Sequence, residues 1–134
     1  MSAGRLCIRE VHLADPDETV DVAAARMRDR RVGTLVVLDA DRRPLGIVTD
    51  RDLVVRALAD GLTGVRVRDV MTTPADAVEE DTPIEDALVR MRASAHRRLL
   101  VVDRDGRLQG ILSVDDVLEL LGDELARVGR LVSA

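Results

Sequence analysis

The chain has 134 residues, enough for one compact domain with a real core, and its 46% apolar and 34% charged residues are ordinary for a globular protein. All 20 basic residues are arginine, which excludes a P-loop lysine and Schiff-base chemistry. There is no Phe, Tyr or Trp, and the net charge is −5, so neither base stacking nor a basic face for nucleic acid is on offer.

In chain order, a first strand is expected around Leu6–Leu13. Val20, Ala23, Ala24 and Met27 then recur at helical spacing. Two nearly all-apolar runs follow, TLVVL at 34–38 and LGIVT at 45–49, joined by the turn-forming DADRRP. Such strands are expected to be buried on both faces. A helix occupies about 50–60, and DGLTGVRVRDVMTTP reads as a connector. The pattern then starts again with a strand near Asp76–Glu79. Thr82 is expected as a helix N-cap, with Pro83 in the first turn and Glu85 three residues after the threonine. Ile84, Ala87, Leu88 and Met91 form the apolar stripe of that helix. Strands RLLVV (98–102) and LQGILS (108–113) follow, and a last helix at 114–122 continues as an amphipathic segment through DELARVGRLV.

The second half is a copy of the first. A shift of 64 residues lays Val20–Leu53 on Ile84–Val117 without a gap. Met27 meets Met91, Gly46-Ile47 meets Gly110-Ile111, Asp52 meets Asp116, and Thr49 meets Ser113, which keeps the hydroxyl. The expected fold is α/β, two tandem β-α-β-β-α units packed with pseudo-two-fold symmetry through facing sheets. The expected boundaries are 1–61 for the first repeat, 62–75 for the connector and 76–134 for the second repeat with its helical tail.

Catalytic templates are missing. His12 and His96 lack the spacing of a metal pair, and there is no nucleophile elbow or dinucleotide fingerprint. Cys7 is the only cysteine, so no internal disulfide can form. No catalytic residue, no metal site and no required cofactor is expected. No run approaches the ~20 apolar residues of a membrane span, and MSAGRLCIRE carries no signal-peptide core, so the expected location is the cytoplasm. The arginine-rich helix ARMRDRR reads as a solvated face opposite Met27.

Chemistry is left with the two strand-to-helix junctions. Each pairs a hydroxyl with an aspartate three residues on, Thr49 with Asp52 and Ser113 with Asp116. Such a pair serves as a helix cap, or holds a ligand where free N–H groups and the helix dipole favour an anion. The aspartate accepts only, which suits ribose hydroxyls and repels phosphate. On spacing alone both readings stand. In the second repeat, Arg97 and Arg98 precede the strand that should lie beside Ser113 and offer bidentate phosphate donors. The first repeat has Gly33 and Thr34 there.

The duplicated unit, "GIVTDRDL" with "GILSVDDV", "AHRRLLVVDRDG" and the "VRVRDVMTTP" connector resemble a tandem CBS domain pair, or Bateman module, over roughly residues 6–122. The nearest likeness is to stand-alone bacterial CBS-pair proteins. The resemblance implies AMP, ADP, ATP or a related adenosyl ligand bound in clefts between the repeats. It places Asp52 and Asp116 on ribose, and Thr49, Ser113, Arg98 and Arg97 near phosphate. It also implies a homodimer formed through the helices, and a non-catalytic regulatory role in which ligand alters the angle between repeats or subunits for an unknown partner protein. The first opening, VHLADPDETV, is read as shorter than VMTTPADAVEEDTPI and as lacking its Met-Thr start. One good site is therefore expected around Ser113 and Asp116. A weaker or empty one is expected around Thr49 and Asp52, partly compensated by Arg51. The alternative is a ligand-free interaction module in which both pairs are only caps.

Overall fold

A computed structural model describes all residues, Met1–Ala134. The chain divides into two compact units that do not follow the repeat boundaries. One comprises Met1–Arg9, Ala77–Asp103 and Gln109–Ala134; the other comprises Glu10–Asp76 and Arg104–Leu108.

In the unit built on Glu10–Asp76, strand β1 (Leu13–Ala14) runs parallel to β2 (Thr34–Leu38), and β2 pairs antiparallel with β3 (Pro44–Thr49). Between β1 and β2 lies helix α1 (Val20–Arg30), whose Val20, Ala23 and Met27 are buried. Leu35, Val37 and Val48 of the sheet close a core with them. The chain leaves β3 into a single helical turn, Asp50–Asp52, and continues as a π-helix, Leu53–Leu58. That is the expected 50–60 helix with a wider register: Ala59 N–H reaches back five residues to Val54 O at 2.8 Å. A short helix, α2 (Val67–Val70), docks on the same core through Val67 and Val70.

The other unit repeats the plan. Strand β4 (Ala77–Glu79) runs parallel to β5 (Arg98–Val102), which pairs with β6 (Leu108–Ser113). Helix α3 (Ile84–Ser94) buries Ile84, Ala87 and Met91 against Leu99, Val101 and Leu112. The strand centres are buried on both faces, as nearly all-apolar runs require: Leu35, Val36, Val37, Leu99, Leu100 and Val101 are all inaccessible. Helix α4 (Val114–Ser133) follows β6 and continues well past residue 122.

The N-terminus corrects two expectations. Residues 6–13 are not a strand: a helical turn, Ala3–Leu6, comes first, and β1 starts only at Leu13. Nor is the first opening shorter than the second, because the shift of 64 extends back to residue 3. Ala3–Leu6 matches α2, Cys7 stands where Met71 does, and Ile8 stands where Thr72 does. The backbone bonds match as well. Ala3 N–H donates to Thr82 O at 2.8 Å, and Val67 N–H donates to Glu18 O at 2.9 Å, which are equivalent positions. The openings escape a search for periodicity because Ala-Gly-Arg-Leu-Cys-Ile shares almost no side chain with Val-Arg-Asp-Val-Met-Thr.

Thr82 is not the N-cap of α3. Pro83 holds that place in extended conformation, and Thr82 N–H is spent on Glu79 O at 3.0 Å. Both helices α1 and α3 end on a left-handed residue, Arg31 and Ala95, each at φ 57°.

Candidate functional site

The two hydroxyl–aspartate pairs sit at the same structural joint. Thr49 and Ser113 are extended residues that end β3 and β6 and cap the helices that follow. Thr49 Oγ1 accepts from Asp52 N–H at 3.1 Å, and Asp52 Oδ2 accepts from Thr49 N–H at 3.0 Å. Ser113 Oγ accepts from Asp116 N–H at 3.2 Å, and Asp116 Oδ2 accepts from Ser113 N–H at 3.2 Å and from Ser113 Oγ–H at 2.8 Å. Both are complete capping boxes, each satisfying two otherwise orphaned N–H groups. The short side chains and the spacing of three dictate this, because one turn of helix places the acid over the cap.

The surroundings of the two aspartates differ. Asp52 is buried, and Thr72 Oγ1 lies 3.4 Å from both of its carboxylate oxygens. Arg56 Nε stands 3.7 Å from Asp52 Oδ1, while the same guanidinium donates to Met71 O at 3.1 Å and Val70 O at 3.3 Å. In the other unit Leu120 and Ile8 occupy the positions of Arg56 and Thr72. Asp116 is only half-buried, and its Oδ1 carries no hydrogen bond within the chain.

The mouths of the junctions differ too. In the second repeat, Val114 N–H donates to Arg97 O at 2.9 Å, which fixes Arg97 at the start of α4. The Arg97 guanidinium makes an exposed ion pair with Asp115 at 3.3 Å, worth little in water. Arg98 opens β5 beside β6 with its side chain exposed and no ion pair within the chain. The structure therefore gathers Ser113, Asp116, Arg97 and Arg98 at one joint.

In the first repeat the matching bond is Asp50 N–H to Gly33 O at 3.0 Å. The Asp50 carboxylate occupies the mouth so closely that a Cβ on Gly33 would lie 2.9 Å from its Oδ2. Thr34 faces Thr49 across the strands, and Arg51 projects from the first turn as an exposed residue. Asp50, Arg56 and Thr72 were missed as parts of this joint. The signal that finds them is the repeat itself, which sets an acid, a base and a hydroxyl against Val114, Leu120 and Ile8.

Elsewhere, Cys7 is buried in the core of its unit, and burial pushes its thiol pKa up. His12 lies on the approach to β1, and its carbonyl accepts from Val36 N–H at 2.9 Å. No group of three or more His, Cys, Asp or Glu is placed to hold a metal ion, and no helix is long and apolar enough to cross a membrane.

Comparison with known proteins agrees with this architecture. The CBS domain model matches twice, at residues 3–58 and 67–123. An uncharacterized protein of Acidianus ambivalens is 34% identical over 119 residues, covering 89% of this chain and 72% of that protein. An uncharacterized protein of Methanopyrus kandleri is 35% identical over 122 residues, 90% of this chain; the chain spans 62% of its length. Among solved structures, CBSX2 in complex with AMP has a TM-score of 0.77 at 30% identity, covering 91% of this chain and 96% of that one. Hypoxic Response Protein I, solved with two coordinated zinc ions, has a TM-score of 0.78 at 28% identity, covering 89% and 98%.

Proposed function

The chain belongs to the CBS domain family as a tandem pair, and on that premise we propose that it is a non-catalytic regulatory module binding AMP, ADP or ATP, or a related adenosyl ligand. The observation that carries the reading is the contrast between the two aspartates: Asp116 keeps a carboxylate oxygen that no group of the chain bonds, whereas Asp52 is enclosed by Thr72 and Arg56. The principal site is assigned to the second repeat. Asp116 Oδ1 would accept from ribose hydroxyls, and Arg98 and Arg97 would meet phosphate with Ser113 and the first N–H groups of α4. Thr49, Asp52 and Arg51 would form a weaker or empty site, since the Asp50 carboxylate at its mouth opposes an anion. The bound AMP of CBSX2 lends this reading support from a relative. A protein of unidentified kind would read the bound state, and the ligand would act only through its differential affinity for two conformations.

A second reading has an observation in its favour. Both hydroxyl–aspartate pairs form complete capping boxes, so helix termination alone accounts for both pairs. Calorimetric titration with AMP, ADP and ATP separates the two. A binder gives saturable heat, whose dominant component is lost in Ser113→Ala with Asp116→Ala. A ligand-free module gives none, and the double variant then costs only about 1–2 kcal/mol of stability.

A further inference from the structure

The opening segment of the chain reaches the joint of the second repeat. Ile8 pairs backbone to backbone with Ile111 of β6, two residues before Ser113, and Met1–Arg9, β6 and α4 belong to one compact unit. Thr72 pairs in the same way with Ile47 of β3, two residues before Thr49. Ile8 therefore holds the place that Thr72 holds in the other unit. What that place commands is visible there: Thr72 Oγ1 lies 3.4 Å from each carboxylate oxygen of Asp52. Burial raises the pKa of the adjoining Cys7 thiol, and the Asp116 charge adds to the rise, which puts that carboxylate near the segment.

An isoleucine changes that place in two ways. Its side chain donates no hydrogen bond, so Asp116 Oδ1 keeps its acceptor capacity, whereas Thr72 offers Asp52 the hydroxyl that a sugar would otherwise bring. It is also 52% accessible, although Ala3, Gly4 and Cys7 of the same segment are buried. A single exposed apolar side chain is ordinary on a protein surface. This one stands beside an open carboxylate and a capping hydroxyl. A ribosyl ring matches both halves of that arrangement, with hydroxyls along its edge for the acid and C–H groups on its face for the aliphatic chain. With no Phe, Tyr or Trp, the chain has no ring to stack on a nucleoside, and the apolar contact falls to side chains of this kind.

We propose that Ile8 is a specificity-determining residue of the second repeat's joint, leaving Asp116 open to a ribose and packing on the C–H face of the bound nucleoside. The inference rests on the nucleotide reading of that joint and adds to it a residue from outside the hydroxyl–aspartate motif. Its test uses two substitutions of nearly equal shape, Ile8→Val and Ile8→Thr, which differ in the hydroxyl alone. Each is titrated calorimetrically with AMP, or with whichever of ADP and ATP the parent chain binds most tightly. Ile8→Val removes one methylene of apolar contact and should weaken binding about 4-fold. Ile8→Thr restores the hydroxyl that Thr72 gives Asp52 and should bind at least ~10-fold more weakly than Ile8→Val. Unfolding midpoints close to that of the parent are expected for both, because the side chain is half exposed. An Ile8→Thr chain that binds as tightly as Ile8→Val, or more tightly, would overturn the proposal and leave the nucleotide site standing. A parent chain that takes up none of the three nucleotides would overturn both.

Discussion

Ile8 and Ile111 exchange two backbone hydrogen bonds, Ile8 N–H to Ile111 O at 2.8 Å and Ile111 N–H to Ile8 O at 2.9 Å. Thr72 and Ile47, one repeat-length away, exchange the same pair at 2.8 and 3.0 Å. In each unit an opening segment thus lies against the last strand of the sheet, immediately beside a glycine. That contact explains why Gly46 and Gly110 coincide under the repeat. A Cβ on Gly46 would stand 2.5 Å from Thr72 O, and one on Gly110 would stand 2.6 Å from Ile8 O.

Gly110→Ala and Gly46→Ala are therefore expected to destabilise the fold, each by about 1–3 kcal/mol, because the obstruction is backbone that is itself hydrogen-bonded. Urea unfolding of each variant checks this. A midpoint equal to that of the parent chain would show that the opening segments are not held where these bonds place them.

The opposite sign is expected at the helix ends. Arg31 and Ala95 adopt φ 57° in Schellman-type turns, where Val32 N–H and His96 N–H each close on the methionine carbonyl five residues back, at 3.0 Å in both cases. Glycine takes this conformation without the Cβ clash that other residues suffer. Ala95→Gly and Arg31→Gly should each raise stability by up to about 1 kcal/mol, measurable as an upward shift in Tm. A fall in Tm would mean that glycine's added freedom in the unfolded chain outweighs the strain relieved.

Most of this architecture is written in the periodicities. Five of the six strands, both amphipathic helices and both hydroxyl–aspartate joints follow from apolar spacing and from the shift of 64, because buried positions must repeat where the fold repeats. The openings are illegible for the same reason. Ala3–Leu6 and Val67–Val70 make equivalent backbone bonds, which constrain conformation and leave side chains free, so no shared residue types survive to be matched. The widening of the helix after Asp52 into a π-helix has no pattern in the sequence that we can name. In the environment of Asp52, Arg56 lies four residues on along the same helix, whereas Thr72 stands in the connector and only packing brings it to the carboxylate.

Cys7 gives a pH dependence with a definite sign. Burial raises its thiol pKa, Asp116 and Glu80 push it in the same direction, and Arg9 opposes. The folded chain consequently holds the thiol proton more tightly than the unfolded chain. The stabilisation is fully present below the unfolded thiol pKa of about 8.5 and is lost as pH rises through the higher folded value. Wild-type stability should decline between roughly pH 8 and pH 10 more steeply than that of Cys7→Ala, with unfolding midpoints as the measure. Native Cys7 should likewise react with an aromatic disulfide reagent only as fast as the unit opens. Prompt labelling at neutral pH would contradict this.

The sharpest expectation concerns the asymmetry of the two joints. If Asp52 is closed by Arg56, and the first mouth lacks a phosphate donor, then transplanting the second repeat's residues should create a second site. Arg56→Leu supplies the equivalent of Leu120 and releases Asp52 Oδ1, while Thr34→Arg supplies the equivalent of Arg98. The ion pair itself is stretched and half-exposed, so its loss should cost less than about 1 kcal/mol of stability. Calorimetric titration of the wild type with AMP is expected to show one site per chain, and the double variant two, with the second abolished by adding Asp52→Asn. Two equal sites in the wild type would remove the distinction between the joints. One site in the double variant would place the barrier at Asp50 or Thr72, both of which the two substitutions leave in place.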